Sequence, residues 1–195
     1  MVMRDAAARF EGVETFPECT RMYFDFFFQG NAMPNGKRAE YTGYFPTKAL
    51  FAALESNDPS YTELDCANRG LDDDTMHQVV SAMKGNTSVT SLKLANNLSY
   101  WNEQGDRFGL ALAPILATSK TITHVDLHKN NLHEKSISAL AEALKHNKSI
   151  ISLNLEDCYA RKSAKDLGDA LKENNTLTWL NVNVNQIADE EAKHL

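Results

Sequence analysis

Apolar residues fall into short ladders that recur along most of this chain. Within 122–150, ITHVDLHKNNLHEKSISALAEALKHNKSI, the residues Ile122, Val125 and Leu127 are followed by Asn130 and Leu132. Ile137, Leu140, Ala141 and Leu144 then repeat at helical spacing, so one unit reads as a short strand, a turn and an amphipathic helix. The same ladder opens at Tyr61, Leu64, Cys66, at Val89, Leu92, Leu94, at Ile150, Leu153, Leu155 and at Leu177, Leu180, Val182. From Leu64 through Leu92, Val125, Leu153 and Leu180 the steps are 28, 33, 28 and 27 residues. A period of this size predicts an α/β solenoid, because one strand and one helix cannot bury their shared apolar face until copies stack.

Five residues after each anchor stand Arg69, Asn97, Asn130, Cys158 and Asn185. On these residues the chain resembles the leucine-rich repeat family, whose unit L-x-x-L-x-L-x-x-N/C-x-L is matched in full by the third copy. The repeat length and the helix in each unit resemble the ribonuclease-inhibitor class, found also in tropomodulins, intracellular pattern sensors and Ran GTPase activators. That resemblance implies a right-handed horseshoe arc with a parallel sheet on its concave face and helices on its convex face. The turn Asn is expected to be buried and bonded to the backbone of neighbouring turns. Cys158 can replace it as a small residue that tolerates burial, and Arg69 is a departure in the first unit.

Two organisational expectations follow. Residues 1–45 show no ladder and hold Phe10, Phe16, Phe24, Phe26, Phe27, Phe28 and Phe45, so they read as an aromatic-rich N-terminal cap. Residues 46–195 read as the array: a half repeat, with Leu50, Phe51 and Leu54 in a helix, then about five repeats of which the last is incomplete. Leu195 aligns with Leu140, so the last layer is expected to lie open and could support self-association. Asp72, Asp73 and Asp74 are placed to cap a helix. Pro114 implies a helix that begins late or bends, and Gly168 implies close packing of a helix on the sheet.

The second unit is longer by five residues, in NLSYWNEQGDRF, and the 98–108 loop offers Tyr100 and Trp101 as an aromatic anchor. Strand positions flanking the buried ladder should face the concave side: Glu63, Asp65 and Ala67; Ser91, Lys93 and Ala95; His124, Asp126 and His128; Ser152, Asn154 and Glu156; Trp179, Asn181 and Asn183. A partner-binding surface is therefore expected at Asp65, Lys93, His124, Asp126, His128, Asn154, Glu156, Trp179 and Asn181, together with the loop.

The 195 residues carry a net charge of −6, which argues against nucleic acid as the main partner. No apolar run reaches the length of a membrane span. Cys19, Cys66 and Cys158 are well separated and odd in number, as expected of reduced thiols in a cytoplasmic protein. No phosphate loop, nucleophile elbow or H-E-x-x-H is present, so no catalytic, cofactor or metal residue is assigned. The reading is a non-enzymatic scaffold for a protein partner. Two alternatives rest on resemblance: an actin pointed-end-capping protein of tropomodulin type, suggested by the linkers SAMKGNTSVTSL and EALKHNKSIISL, and a GTPase activator of the Ran type. A third, a metal enzyme, rests on His124 and His128 pointing the same way from one strand.

Overall fold

A computed structural model of the protein describes residues 48–98 and 106–195. The five ladders form five three-residue strands, β1 Glu63–Asp65, β2 Ser91–Lys93, β3 His124–Asp126, β4 Ser152–Asn154 and β5 Trp179–Asn181, in one parallel sheet in chain order. Leu64, Leu92, Val125, Leu153 and Leu180 are register partners on successive strands. Parallel neighbours need a crossover, and helices supply it. Helix α1 Lys48–Glu55 precedes β1, and α2 Asp73–Ala82, α3 Asp106–Thr118, α4 His133–His146, α5 Ala164–Glu173 and α6 Asp189–Ala192 follow the strands in turn. A single 3-10 turn, Arg161–Ser163, leads into α5.

The core lies between the sheet and these helices. Leu64, Leu92, Val125 and Leu153 meet Met76, Val79 and Val80 of α2, Phe108, Leu112 and Leu116 of α3, and Ile137, Leu140 and Leu144 of α4, all at most 2% exposed. Each such side chain contributes roughly 1.5–3 kcal/mol by burial. Helices α3 and α4 come close because Gly109 has no side chain: a Cβ there would collide with Cβ and Oγ of Ser136. Gly168 also marks a close approach, but to a different element than expected. A Cβ at Gly168 would strike the His194 carbonyl just beyond α6, so the glycine admits the C-terminal segment rather than the sheet.

The turn asparagines do the bonding the pattern demands. Asn97 accepts the N–H groups of Arg69 and Leu71 (3.0 and 3.2 Å) and donates to the carbonyls of Cys66 and Leu94 (both 2.9 Å). Asn130 repeats this one unit on, accepting from Asn97 and Leu98 and donating to Leu94 and Leu127. Asn185 accepts from Cys158 and Ala160. Cys158 fills its own step with a thiol that donates to the Leu127 carbonyl at 3.1 Å.

A second polar ladder runs behind the first, at the helix ends. Asn86, Asn147 and Asn174 each donate to the last turn of the helix one unit earlier, at Leu54 of α1, Leu116 of α3 and Leu144 of α4, and accept the N–H of Val89, Ile150 and Leu177. Ser119 takes the accepting half of the step in the third unit, from Ile122. Asn57, aligned with Asn147 by sequence, behaves differently. Its local acceptor role is lost, because the Ser60 N–H three residues on bonds Asp58 and Pro59 has no N–H, and it accepts instead from Thr87 and Ser88 of the next unit.

In every unit the residue immediately before the turn position has left-handed backbone: Asn68, Asn96, Lys129, Asp157 and Val184, with φ from 54° to 58°. Asn tolerates this conformation and Val resists it. The outermost layer is less covered than the others, with Leu180 and Val182 half-buried and Val184 67% exposed. Helix α3 starts at Asp106 and runs through Pro114 instead of beginning after it; Pro114 lies on the solvent side. The expected aromatic cap in 1–45, the start of the array at 46 and the Tyr100 and Trp101 anchor fall outside the described residues.

Candidate protein-binding face

The helices cover one side of the sheet and leave the other open. Its side chains form a grid, because register partners stand about 4.8 Å apart across strands and alternate residues about 6.6 Å apart along them. The first row is Glu63, Ser91, His124, Ser152 and Trp179, and the second Asp65, Lys93, Asp126, Asn154 and Asn181. Two residues further along each strand, the backbone bonds from Asn96 to His128, Lys129 to Glu156 and Asp157 to Asn183 fix a third row. The nine strand residues assigned to the partner surface all reach this face, and each is exposed or half-buried.

Ala95 is a correction. It was expected on the open face with Lys93, yet it is 0% exposed, since a methyl group in a row shared with His128 does not reach past longer neighbours.

Carboxylates dominate the electrostatics, and their partners are specific. Lys93 Nζ lies 2.8 Å from Glu63 Oε1, and that bond holds the Lys93 amine above its ordinary pKa. Asp126 Oδ1 accepts from His128 Nδ1 at 2.8 Å and from the His128 backbone N–H at 3.2 Å. Glu156 Oε2 accepts from Asn181 Nδ2 at 2.9 Å. These exposed contacts orient side chains more than they stabilise the fold.

The metal alternative asked that His124 and His128 share an ion. His128 Nδ1 is turned to Asp126, while His124 Nδ1 lies 2.8 Å from Thr123 Oγ1. Among the described residues no three His, Cys, Asp or Glu side chains group as a metal site would. The two described thiols do not open onto this face, since Cys66 and Cys158 are buried and burial pushes both up to about 12.

Sequence reasoning missed the edge of the face. Thr90 and Thr123 each donate a hydroxyl to the carbonyl of the Thr one strand earlier, Thr62 and Thr90, at 3.0 and 3.1 Å, and Thr178 donates to Ile151 at 3.3 Å. The signal was a Thr two residues before each anchor, broken in the fourth unit by Ile151, which is 41% exposed beside Trp179 at 49%. The roles of Asp73 and Asp74 were also missed. Asp72 caps α2 by accepting from Thr75, but buried Asp73 accepts from the Phe108 N–H at the start of α3, and Asp74 pairs with Arg107. Burial pushes the Asp73 carboxyl above the usual range, against the pull of that N–H and of Arg107.

Strand, turn and helix recur in register, with a buried Asn or Cys at the turn in every unit after the first. The fold is of the leucine-rich-repeat type. No protein-family model matches the chain. It is similar to leiomodin-2 of Gallus gallus, with 30% identity over 131 residues, 65% of this chain and 23% of that protein. The chain thus spans about a quarter of the length of the curated relative it matches. A solved structure described as leiomodin-1 actin-binding site 2 aligns with a TM-score of 0.60 and 28% identity over 69% of this chain and 77% of that one. The tropomodulin C-terminal domain of Caenorhabditis elegans aligns with a TM-score of 0.63 and 16% identity, over 75% and 86%, a likeness of fold. No helix among the described residues is long and apolar enough to cross a membrane.

Proposed function

We propose that this chain is a non-enzymatic, cytoplasmic actin-binding module that engages actin through the open face of its sheet. The observation that carries the reading is the likeness, at 28% identity over 69% of the chain, to a structure whose description is an actin-binding site. The tropomodulin alternative thereby gains over a general scaffold with an unspecified partner, and capping of a filament end is the narrower form of the same reading. A wall of polar side chains on a rigid parallel sheet suits a protein surface better than a small substrate, which would need a concave pocket. We also assign the repeats to the ribonuclease-inhibitor class, on the 27- and 28-residue steps and the full helix per unit, with the stack curving so that the open face lies inside.

Sedimentation or fluorescence titration of the purified protein with monomeric and filamentous actin tests the reading. Saturable micromolar binding to either form is expected. Absence of binding to both, by protein whose circular dichroism shows it folded, would overturn it.

A further inference from the structure

The geometry points to the corner of the open face over Ser152 as the anchor for an extended partner segment that carries a large apolar side chain and, four residues away, a lysine or arginine. This deepens the reading above and rests on it for the choice of face.

The first row alternates large and small side chains. His124 and Trp179 flank half-buried Ser152 on the neighbouring strands, so the backbones that carry imidazole and indole stand about 10 Å apart with a small residue as floor between them, spacing for one side chain. The rim is apolar. Ile151, 41% exposed, accepts the Trp179 backbone N–H at 3.1 Å, and Trp179 is itself 49% exposed. Ile151 stands where the four other units place a threonine, three of whose hydroxyls donate to the neighbouring strand. An exposed indole with an adjacent aliphatic chain is the usual make-up of a contact that carries binding energy.

Charge complementarity supplies the second half. Four residues on from Ser152 and two past the end of β4, about 13 Å away at extended spacing, stands Glu156, one strand from His128 and diagonal to Asp126. Glu63 at the far end of the face is already neutralised by Lys93. Glu156 has an amide partner, Asn181, and no lysine or arginine among the described residues forms an ion pair with it. A cation on the partner would complete it. An extended segment laid along β4 advances at the same rise per residue as the strand and presents residues i and i+4 to the same side. Glu156 lies two residues past β4, where its carbonyl still accepts the Lys129 N–H across the strands, so it falls near the i+4 position of such a segment.

The test uses three synthetic peptides in a β-favouring threonine-rich background, bearing Leu and Lys four apart, Leu and Glu, or Ser and Lys, with affinity read by anisotropy of a terminal dye. The Leu–Lys peptide is expected to bind at least about tenfold tighter than either other. Ser152→Tyr, which fills the slot, should remove that affinity, and Glu156→Gln should abolish the preference for Lys over Glu. Trp179→Ala stands in for Ser152→Tyr if circular dichroism shows the latter misfolded. Equal affinities for the three peptides, or binding indifferent to the slot and Glu156 variants, overturn the inference. Actin sedimentation run in parallel separates the two claims. Actin binding without peptide discrimination removes this inference alone, and peptide discrimination without actin binding removes the actin reading alone.

Discussion

Asn130 Oδ1 accepts the backbone N–H of Asn97 at 3.0 Å, linking the turn of one unit to the turn of the next across 33 residues of chain. The same oxygen takes the Leu98 N–H, and the amide nitrogen serves Leu94 and Leu127 from a side chain that is 0% exposed. Asn130→Ala therefore strands the buried N–H groups of Asn97 and Leu98 and takes one donor from the Leu94 and Leu127 carbonyls, which keep Asn97 Nδ2 and the Cys158 thiol. A loss of about 3–5 kcal/mol is expected in urea unfolding. Asn130→Cys should cost less, because Cys158 fills the same position one unit on with a thiol donating to Leu127.

Gly109 governs the contact between α3 and α4, the two longest helices among the described residues. Gly109→Ala should destabilise by roughly 1–3 kcal/mol through overpacking against Ser136. The Ser136→Gly change removes the opposing Cβ, so the double variant should recover part of that loss. A thermodynamic cycle from urea melts reads the coupling, and strict additivity would contradict the close approach.

Val184 holds φ 58° with a β-branched side chain that is 67% exposed and so gains little by burial. Asn occupies the equivalent position in the first two units, at Asn68 and Asn96. Val184→Asn should stabilise the protein by about 1 kcal/mol, seen as a higher midpoint at unchanged slope in denaturant.

Much of this architecture was legible from spacing alone. The anchor column from Leu64 to Leu180 lies on adjacent parallel strands in the expected register, since a buried sheet face tolerates no slip. The first asparagine ladder was legible because Asn97, Asn130 and Asn185 share an offset from their anchors. The second was not, because Ser119 interrupts it and Asp58 and Pro59 leave Asn57 no local N–H to accept. Ala95 was misplaced because period-two alternation gives direction and not reach. The Glu63 to Lys93 and Asp73 to Phe108 bonds join different units, and local pattern carries no sign of such pairings. For Asp73 a buried carboxylate at a helix start was indistinguishable from a simple cap.

Thiol burial gives a pH dependence of definite sign. Cys66 and Cys158 are pushed from 9.0 up to about 12 in the folded chain, so above pH 9 the unfolded chain binds fewer protons than the folded one. Stability then falls with rising pH, by up to about 1.4 kcal/mol per unit for each thiol, between pH 9 and 12. Cys66→Ala should flatten the alkaline limb of a stability profile. At pH 8 both thiols should resist a thiol reagent until denaturant is added.

The open face is the account's central claim, and comparing its two sides tests it most directly. Actin affinity should be measured for a Trp179→Ala, Asp126→Asn, Glu156→Gln variant and for a Glu142→Gln, Lys145→Gln, Lys172→Gln variant on the helical side, both shown to be folded. The account predicts a loss of at least about tenfold for the first and less than about twofold for the second. An unchanged affinity in the first with a loss in the second would place the partner on the helices and contradict it.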